Sequence, residues 1–409
     1  MAATARRTTA ARTTASSVLL KPFCWVFCSL IRSLLLKVVF KFFPESLFLK
    51  PAVNAAVKAK ILSAGDPLSK LLAEKVGRRA ELRGLRRGLE QDVFERLAYI
   101  TPIRVEVTNY ARRPVAVFNP GAALEGSNVA IFPRMVFDYY WYVSSVGRIR
   151  VGVDDLLSGS IPGTLKADLV IYPSEEWELR GCEDPRVYGA DGNYLVLYTG
   201  VLPLQNGVLP LQAVARYSEG RVEKLGYLAF EYGGERYVAP WKDSAILSEG
   251  GGEALALVRP SVPVPGGFLE AGWFTRFDLA GLTVDPGEAV PLLVAESFEY
   301  KVGWSTNALK LSSGEYLVGW HGVGVDNVYR NGLAVVSEEG ELLELSEYLL
   351  VPRKSLEEFY GDRPGVVFGC GLLRIKEKLV WVGGVSDYAV GVFAVDMDKA
   401  LEHLKRVSR

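Results

Sequence analysis

At 409 residues and 49% apolar composition, the chain has material for one large domain or two with a substantial core. Its 47 basic and 47 acidic residues cancel, and no basic stripe interleaved with aromatics runs through the body, so there is no electrostatic case for nucleic acid. Four cysteines are too few for a disulfide framework, and Cys24 with Cys28 has the spacing of only half a zinc site, so no metal is expected.

Residues 1–44 hold no acidic residue and mix apolar stretches with Lys21, Arg32, Lys37 and Lys41. The longest uncharged run there, Pro22 to Ile31, is about ten residues, against the roughly 20 needed to span a bilayer. No small-residue cleavage site follows it, so a signal peptide fits poorly and a cytoplasmic protein is expected. Residues 1–50 are read as a leader outside the fold. It is a basic amphipathic segment touching a membrane surface, a disordered stretch, or the product of a start codon assigned too early. Gln is scarce against abundant Glu, Lys and Arg, a composition that points toward heat adaptation.

Residues 51–100 carry helical spacing, with Leu68, Leu72 and Val76, then Leu82, Leu85 and Leu89. Asp66-Pro67 suits a helix start. One or two helices are therefore expected before the main domain.

From about residue 103 to the end, short β-rich runs alternate with Gly, Asp and Pro, and a repeat emerges. Gly192 to Gly200 and Gly314 to Gly322 share spacing and a Tyr-Leu-Val centre, and Gly252 to Pro260 fits the same frame. Ser127 to Arg134 and Glu377 to Gly384 fit more loosely. Starts at 127, 192, 252, 314 and 377 give a period of about 60 to 65 residues, room for four strands and their loops. Five such units suit a closed five-bladed β-propeller, whereas a β-sandwich demands no such regularity. The all-β domain is placed at 101–409, ending in a charged C-terminal helix that leaves His403 solvated.

Position eight of the frame is Arg134, Thr199, Arg259, His321 and Gly384 in turn. In a propeller these places share a height around one channel, so two arginines and the internal histidine come to related positions. Just before the second copy, Glu183, Asp184 and Arg186 surround Pro185. Proline pushes the residue before it toward extended backbone, which would aim the Asp184 carboxylate. A cationic funnel with one aimed carboxylate suits a sugar, a phosphate, or both. Taken singly, each of these residues fits an ordinary strand cap or a local ion pair equally well.

Gly181-Cys-Glu-Asp-Pro-Arg186, followed by Asp191-Gly-Asn-Tyr194, resembles the signature of the β-mannoside phosphorylases, glycoside hydrolase family 130. Phe118-Asn-Pro-Gly121 with Arg134, Trp241-Lys-Asp243 with Arg259-Pro260, Lys301-Val-Gly303 with Trp320-His-Gly-Val323 and Tyr329-Arg330, and Gly365-Val-Val-Phe368 with Gly383 to Asp387 resemble its other motifs in order. The likeness covers roughly residues 115 to 400, and it implies the same five-bladed propeller. It also implies Asp184 as general acid, with Asn119, Glu183, Arg134, Arg186 and Asp387 around the mannosyl ring. Lys242, Arg259, Lys301, His321 and Tyr329 would then cradle phosphate. Lys242 stands where the family often has Arg, and Gly383-Gly384 where an aromatic-Gly pair is usual.

A phosphorolytic enzyme needs an acid but no base, because phosphate is already nucleophilic, and it needs fixed cations to hold that anion. The acid must carry a proton before reaction, so a desolvated Asp184 is expected, with Arg186 turned to Glu183 or to a carbonyl. Inorganic phosphate is the expected co-substrate of a mannoside oligosaccharide, with no cofactor, and a homo-oligomer is compatible with the sequence. Direct hydrolysis on the same fold and a non-catalytic sugar-binding propeller are the competing readings.

Overall fold

Each repeat copy becomes the second strand of its own sheet in the computed structural model, which describes residues 58–407. These strands are Asn128–Val136, Asn193–Leu204, Glu253–Val264, Tyr316–Gly324 and Lys378–Val385. Each is preceded by an innermost strand: Ala116–Glu125, Cys182–Ala190, Trp241–Gly250, Glu299–Lys310 and Val367–Ile375. The five innermost strands touch one another in sequence and the last meets the first, so the sheets close into a five-bladed propeller. Apolar side chains fill the spaces between blades. Trp241, Trp273, Trp304, Trp320 and Trp381 are all essentially buried.

Chain ends complete two blades. Strand Glu95–Ile100 pairs antiparallel with Ala389–Asp396 and supplies the outer edge of blade five. Near the C terminus, helix Met397–Glu402 leads to Lys405–Arg406, which pairs with Leu342–Leu345 in blade four. Outside the blades, Lys60–Ile61, Ala229–Tyr232, Glu235–Val238 and Thr283–Val284 form a separate small sheet. The expected leader and its membrane contact lie outside the described residues. Among those described, no helix is long and apolar enough to cross a membrane.

The segment expected to be helical differs from expectation. Pro67–Gly77 is an α-helix that buries Leu68, Leu72 and Val76, each worth about 1.5–3 kcal/mol. Proline opens the helix as expected, but the Asp66 carboxylate accepts from the Ser63 N–H (2.7 Å) and hydroxyl (2.9 Å) instead of capping it. Among the described residues of this segment, there is no second helix beyond a single 3-10 turn, Ala80–Leu82. The backbone N–H groups of Gly84 and Leu85 donate to the Glu296 carboxylate (2.8 and 3.0 Å), and those of Arg87 and Leu89 to Glu347 (3.0 and 3.2 Å). Donors satisfied by carboxylates from the propeller need no helix. Arg86 anchors this strap through a buried ion pair with Glu299 (2.6 Å) and lies 4.6 Å over the Trp320 ring.

Candidate active site

All five innermost strands lose register with the second strand at nearly the same frame position. The breaks fall between Phe118 and Gly121, Glu183 and Arg186, Lys242 and Ala245, Trp304 and Ala308, and Gly369 and Gly371. A bulge re-aims a side chain out of the ladder. In the first three blades the re-aimed residue is Asn119, Asp184 or Asp243, with φ of 45°, 48° and 59°. Asn and Asp tolerate this left-handed region better than other side chains. Asp184 is therefore not extended as its proline predicts. The bulge overrides the local preference and turns the carboxylate toward the propeller axis.

The position-eight residues face these bulges across the ladder, with Phe118 opposite Arg134, Lys242 opposite Arg259, and Phe368 opposite Gly384. Gly384 is required there, because a Cβ would overlap Asn119 Oδ1. Gly303 is required for a similar reason, since the Arg259 side chain crosses directly above it.

Nine of the eleven expected residues line one polar cavity of about 70 Å³: Asn119, Arg134, Glu183, Asp184, Lys242, Lys301, His321, Tyr329 and Asp387. Wider surface concavities beside Gly252 (about 650 Å³) and Thr108 (about 550 Å³) are lined by strand ends and turns without a buried charged group. Chemistry, not size, therefore marks the axial cavity. On its sugar side, Asp184 is 6% exposed and its Oδ1 accepts from Asn119 Nδ2 at 3.0 Å, with Arg134 Nη1 at 3.6 Å. Arg134 also donates to Glu183 at 2.6 Å and lies between the Phe118 and Tyr142 rings (4.8 and 5.4 Å). Burial pushes the Glu183 carboxyl up; Arg134 opposes this and Asp184 adds to it. Burial likewise lifts Asp387 to about 6, with Asp184 and Glu183 adding to the rise and Arg134 and Arg363 opposing it.

On the cationic side, Lys301 Nζ lies 5.7 Å from the Tyr329 ring centre, and the His321 ring stacks on Tyr329 at 5.7 Å. Phe368 meets His321 edge-on at 5.0 Å. Burial holds both Lys301 and His321 well below their ordinary ranges, and neighbouring cations reinforce it in each case against the pull of Asp243. His321 Nε2 is buried without a protein partner, as are Asn119 Oδ1 and Arg134 Nε. Unpaired polar atoms gathered in one cavity are what a polar ligand would satisfy.

Arg186 and Arg259 stand behind this wall and do not line it. Arg186 pairs with Asp243 (3.0 Å) and donates to the Ser305 and Asp184 carbonyls (2.9 and 3.0 Å), while Glu183 belongs to Arg134. Arg259 is fully buried, donates to Asp243 Oδ2 through Nε (2.8 Å) and Nη2 (2.6 Å), and also pairs with Glu270. Arg259, which the resemblance implies as a phosphate contact, directs its guanidinium to Asp243 and Glu270. Burial alone would raise the Asp243 carboxyl, but Arg259 and Arg186, with His321 and Lys242, hold it well below the usual carboxylate range.

Sequence reasoning missed Asp243, Arg363 and Phe368 as lining residues. For Asp243 a signal existed. Asn119 and Asp184 precede their position-eight residues by 15 (134 − 119 and 199 − 184), and Asp243 precedes Arg259 by 16. Arg363 comes from a loop before blade five and lies 5.1 Å over the Tyr329 ring, a contact with no local sequence signature.

This fold and cavity define a carbohydrate-active propeller enzyme, and the chain belongs to the family described as beta-1,4-mannooligosaccharide phosphorylase, glycoside hydrolase family 130, which matches residues 84–406. Among similar proteins is the beta-1,2-mannobiose phosphorylase of Thermoanaerobacter sp. (strain X514), 25% identical over 73% of this chain and 96% of that one. The beta-1,2-mannobiose phosphorylase of Listeria innocua is 26% identical over 67% of this chain and 74% of its own length. Its solved complex with beta-1,2-mannobiose superposes with a TM-score of 0.60 at 20% identity, covering 74% of this chain and 96% of that one. A mannose phosphorylase from Leishmania mexicana, solved with a phosphate ion, shares the fold at a TM-score of 0.53 and 16% identity, over 78% and 92% of the two chains.

Proposed function

We propose that this enzyme cleaves β-mannosides by inverting phosphorolysis and forms them in reverse. The mannosyl ring sits among Asn119, Arg134, Glu183 and Asp387, and inorganic phosphate sits among Lys242, Lys301, His321 and Tyr329. A phosphate oxygen attacks C1 as the glycosidic C–O bond breaks, and the Asp184 proton passes to the departing oxygen. The products are α-mannose 1-phosphate and the shortened acceptor. No step passes through a metal or cofactor.

One observation carries this reading. A buried carboxyl and a buried cationic cluster share a single cavity, and one guanidinium ties them together, because Arg186 bonds both the Asp184 carbonyl and the Asp243 carboxylate. Fixed geometry of this kind supplies the proximity that an anionic nucleophile and an electron-rich glycoside otherwise resist. A hydrolase needs a second carboxylate free to act as base. Here Glu183 is tied to Arg134 and Asp243 to two arginines, so a hydrolytic reading would rest on Asp387 alone among the cavity's other carboxylates. The phosphorylase relatives support the same choice.

Product analysis with and without phosphate tests it. Mannose 1-phosphate is expected only when phosphate is supplied. Free mannose released at an equal rate in phosphate-free buffer would refute phosphorolysis in favour of hydrolysis, and absence of turnover on any β-mannoside would leave a binding propeller.

A further inference from the structure

Resting on that phosphorolytic reading, we infer that Asp243 and His321 Nε2 read the proton on the bound oxyanion, so that the site selects phosphate over sulfate. Lys242, Lys301 and Tyr329 are the donors expected of any anion cradle, but a carboxylate faces the same cavity. Asp243 is 2% exposed and sits at the third-blade bulge. Its Oδ2 accepts twice from Arg259, while its Oδ1 has one donor, Arg186 at 3.0 Å, and so keeps a lone pair. Arg259 and Arg186, with Lys242, favour its ionised form. An ionised carboxylate can only accept.

The histidine presents a second acceptor, and its tautomer follows from a chain of hydrogen bonds. Asn331 Nδ2 donates to the Val367 and Leu350 carbonyls (2.6 and 3.4 Å), which turns its Oδ1 toward Ser305. The Ser305 hydroxyl donates to that Oδ1 at 3.2 Å, so its oxygen accepts from His321 Nδ1–H, also at 3.2 Å. The neutral ring then carries its lone pair on Nε2, which is buried, unpartnered and 4.0 Å from Asp243 Oδ2. Burial, with Lys301, Arg259 and Arg186 nearby, keeps the ring neutral against Asp243.

Two acceptors in one cavity, the free lone pair of Asp243 Oδ1 and His321 Nε2, favour a ligand that brings a donor. Inorganic phosphate keeps at least one proton at neutral pH, and an oxygen bearing it can donate to Asp243 or to Nε2. Sulfate has the same tetrahedral shape but no proton to give, so it would set a bare anionic oxygen against a buried carboxylate. A site built to bond a hydroxyl rejects analogues that lack it because its buried polar groups are left unpaired. A cradle of cations alone would bind the two anions alike.

Competition by sulfate and by arsenate against phosphate, read in initial rates of β-mannoside phosphorolysis, tests the idea alongside calorimetric titration of the resting enzyme with each anion. Arsenate, which protonates as phosphate does, is expected to compete. Sulfate is expected to bind at least about a hundredfold more weakly than phosphate. In Asp243→Asn, whose amide can donate to sulfate, this preference should shrink by about tenfold or more. Sulfate binding to the wild-type enzyme within tenfold of phosphate overturns the inference even if Asp243→Asn is inactive or insoluble. Phosphate-independent release of mannose overturns the phosphorolytic reading and the inference together, whereas phosphate-dependent turnover with strong sulfate inhibition overturns the inference alone.

Discussion

Asp184→Asn separates proton donation from every other task of the site. Asparagine tolerates the φ of 48° that the bulge imposes, as Asn119 shows at 45° in the preceding blade. Its side chain is nearly isosteric, and the Asn119 amide at 3.0 Å can turn to bond either end of it. Fold and sugar binding should therefore survive. What disappears is the proton for the leaving oxygen, worth about 10²–10⁴ in rate, or about 3–5 kcal/mol of barrier. The assay compares two leaving groups in saturating phosphate. On a mannobiose the variant should lose that full factor in kcat/KM. On a nitrophenyl β-mannoside, whose departing phenolate needs no proton, the loss should be smaller by at least about tenfold. Equal losses on the two substrates, or near wild-type turnover of the disaccharide, would refute the assignment of Asp184 as acid.

Asp387, lifted to about 6 by burial, accepts sugar hydroxyls fully only when ionised, so kcat/KM should fall below that pH, and Asp387→Asn should remove this acid limb while raising KM. Because its folded value is raised, its contribution to stability is present below about pH 4 and is lost as the pH climbs through about 6; a denaturation series across that window that shows no difference between wild type and Asp387→Asn would contradict it. Arg86→Ala strands Glu299 in the core, the pair being 1% and 0% exposed, and should cost about 3–5 kcal/mol in urea unfolding; a loss under about 1 kcal/mol would show that the strap contributes little. Lys301 is held low by burial and then by Lys242 and Arg259, so a bound phosphate should raise it toward its ordinary range. Calorimetry in buffers of different ionisation enthalpy should record proton uptake on binding, absent in Lys301→Met.

Five blades could be read from the sequence because the strand frame is local. Tyr194-Leu-Val and Tyr316-Leu-Val carry their β preference with them, and Gly192 and Gly314 mark the turn before each. Position eight was legible for the same reason, and it led to Arg134 and His321. Bulges were not, because a lost register exists only between two strands. The proline after Asp184 even pointed the other way. Leu82, Leu85 and Leu89 have helical spacing, yet carboxylates more than 200 residues away bind the backbone donors around them. The partners of Arg259 were hidden for a similar reason. A cation reads the same in sequence whether it meets a ligand or Asp243.

Asp243 also resolves a conflict inherent in this chemistry. A phosphorylase must gather positive charge for its nucleophile beside a carboxyl that has to hold a proton, and bare cations would favour losing that proton. Here the two arginines nearest the centre are matched by one carboxylate, Arg186 on Oδ1 and Arg259 on Oδ2. Arg134, the guanidinium beside Asp184, makes its short contact to Glu183 at 2.6 Å and its longer one to Asp184 at 3.6 Å. Burial meanwhile biases Lys301 and His321 toward their neutral forms. The arginines beside the acid are thus already matched by carboxylates of the protein. Successive bulges make this possible by placing the acid and its counter-carboxylate at one height on neighbouring blades, with Arg186 between them. A helix or a flat sheet would have no equivalent means of holding two strained Asp residues across a single guanidinium.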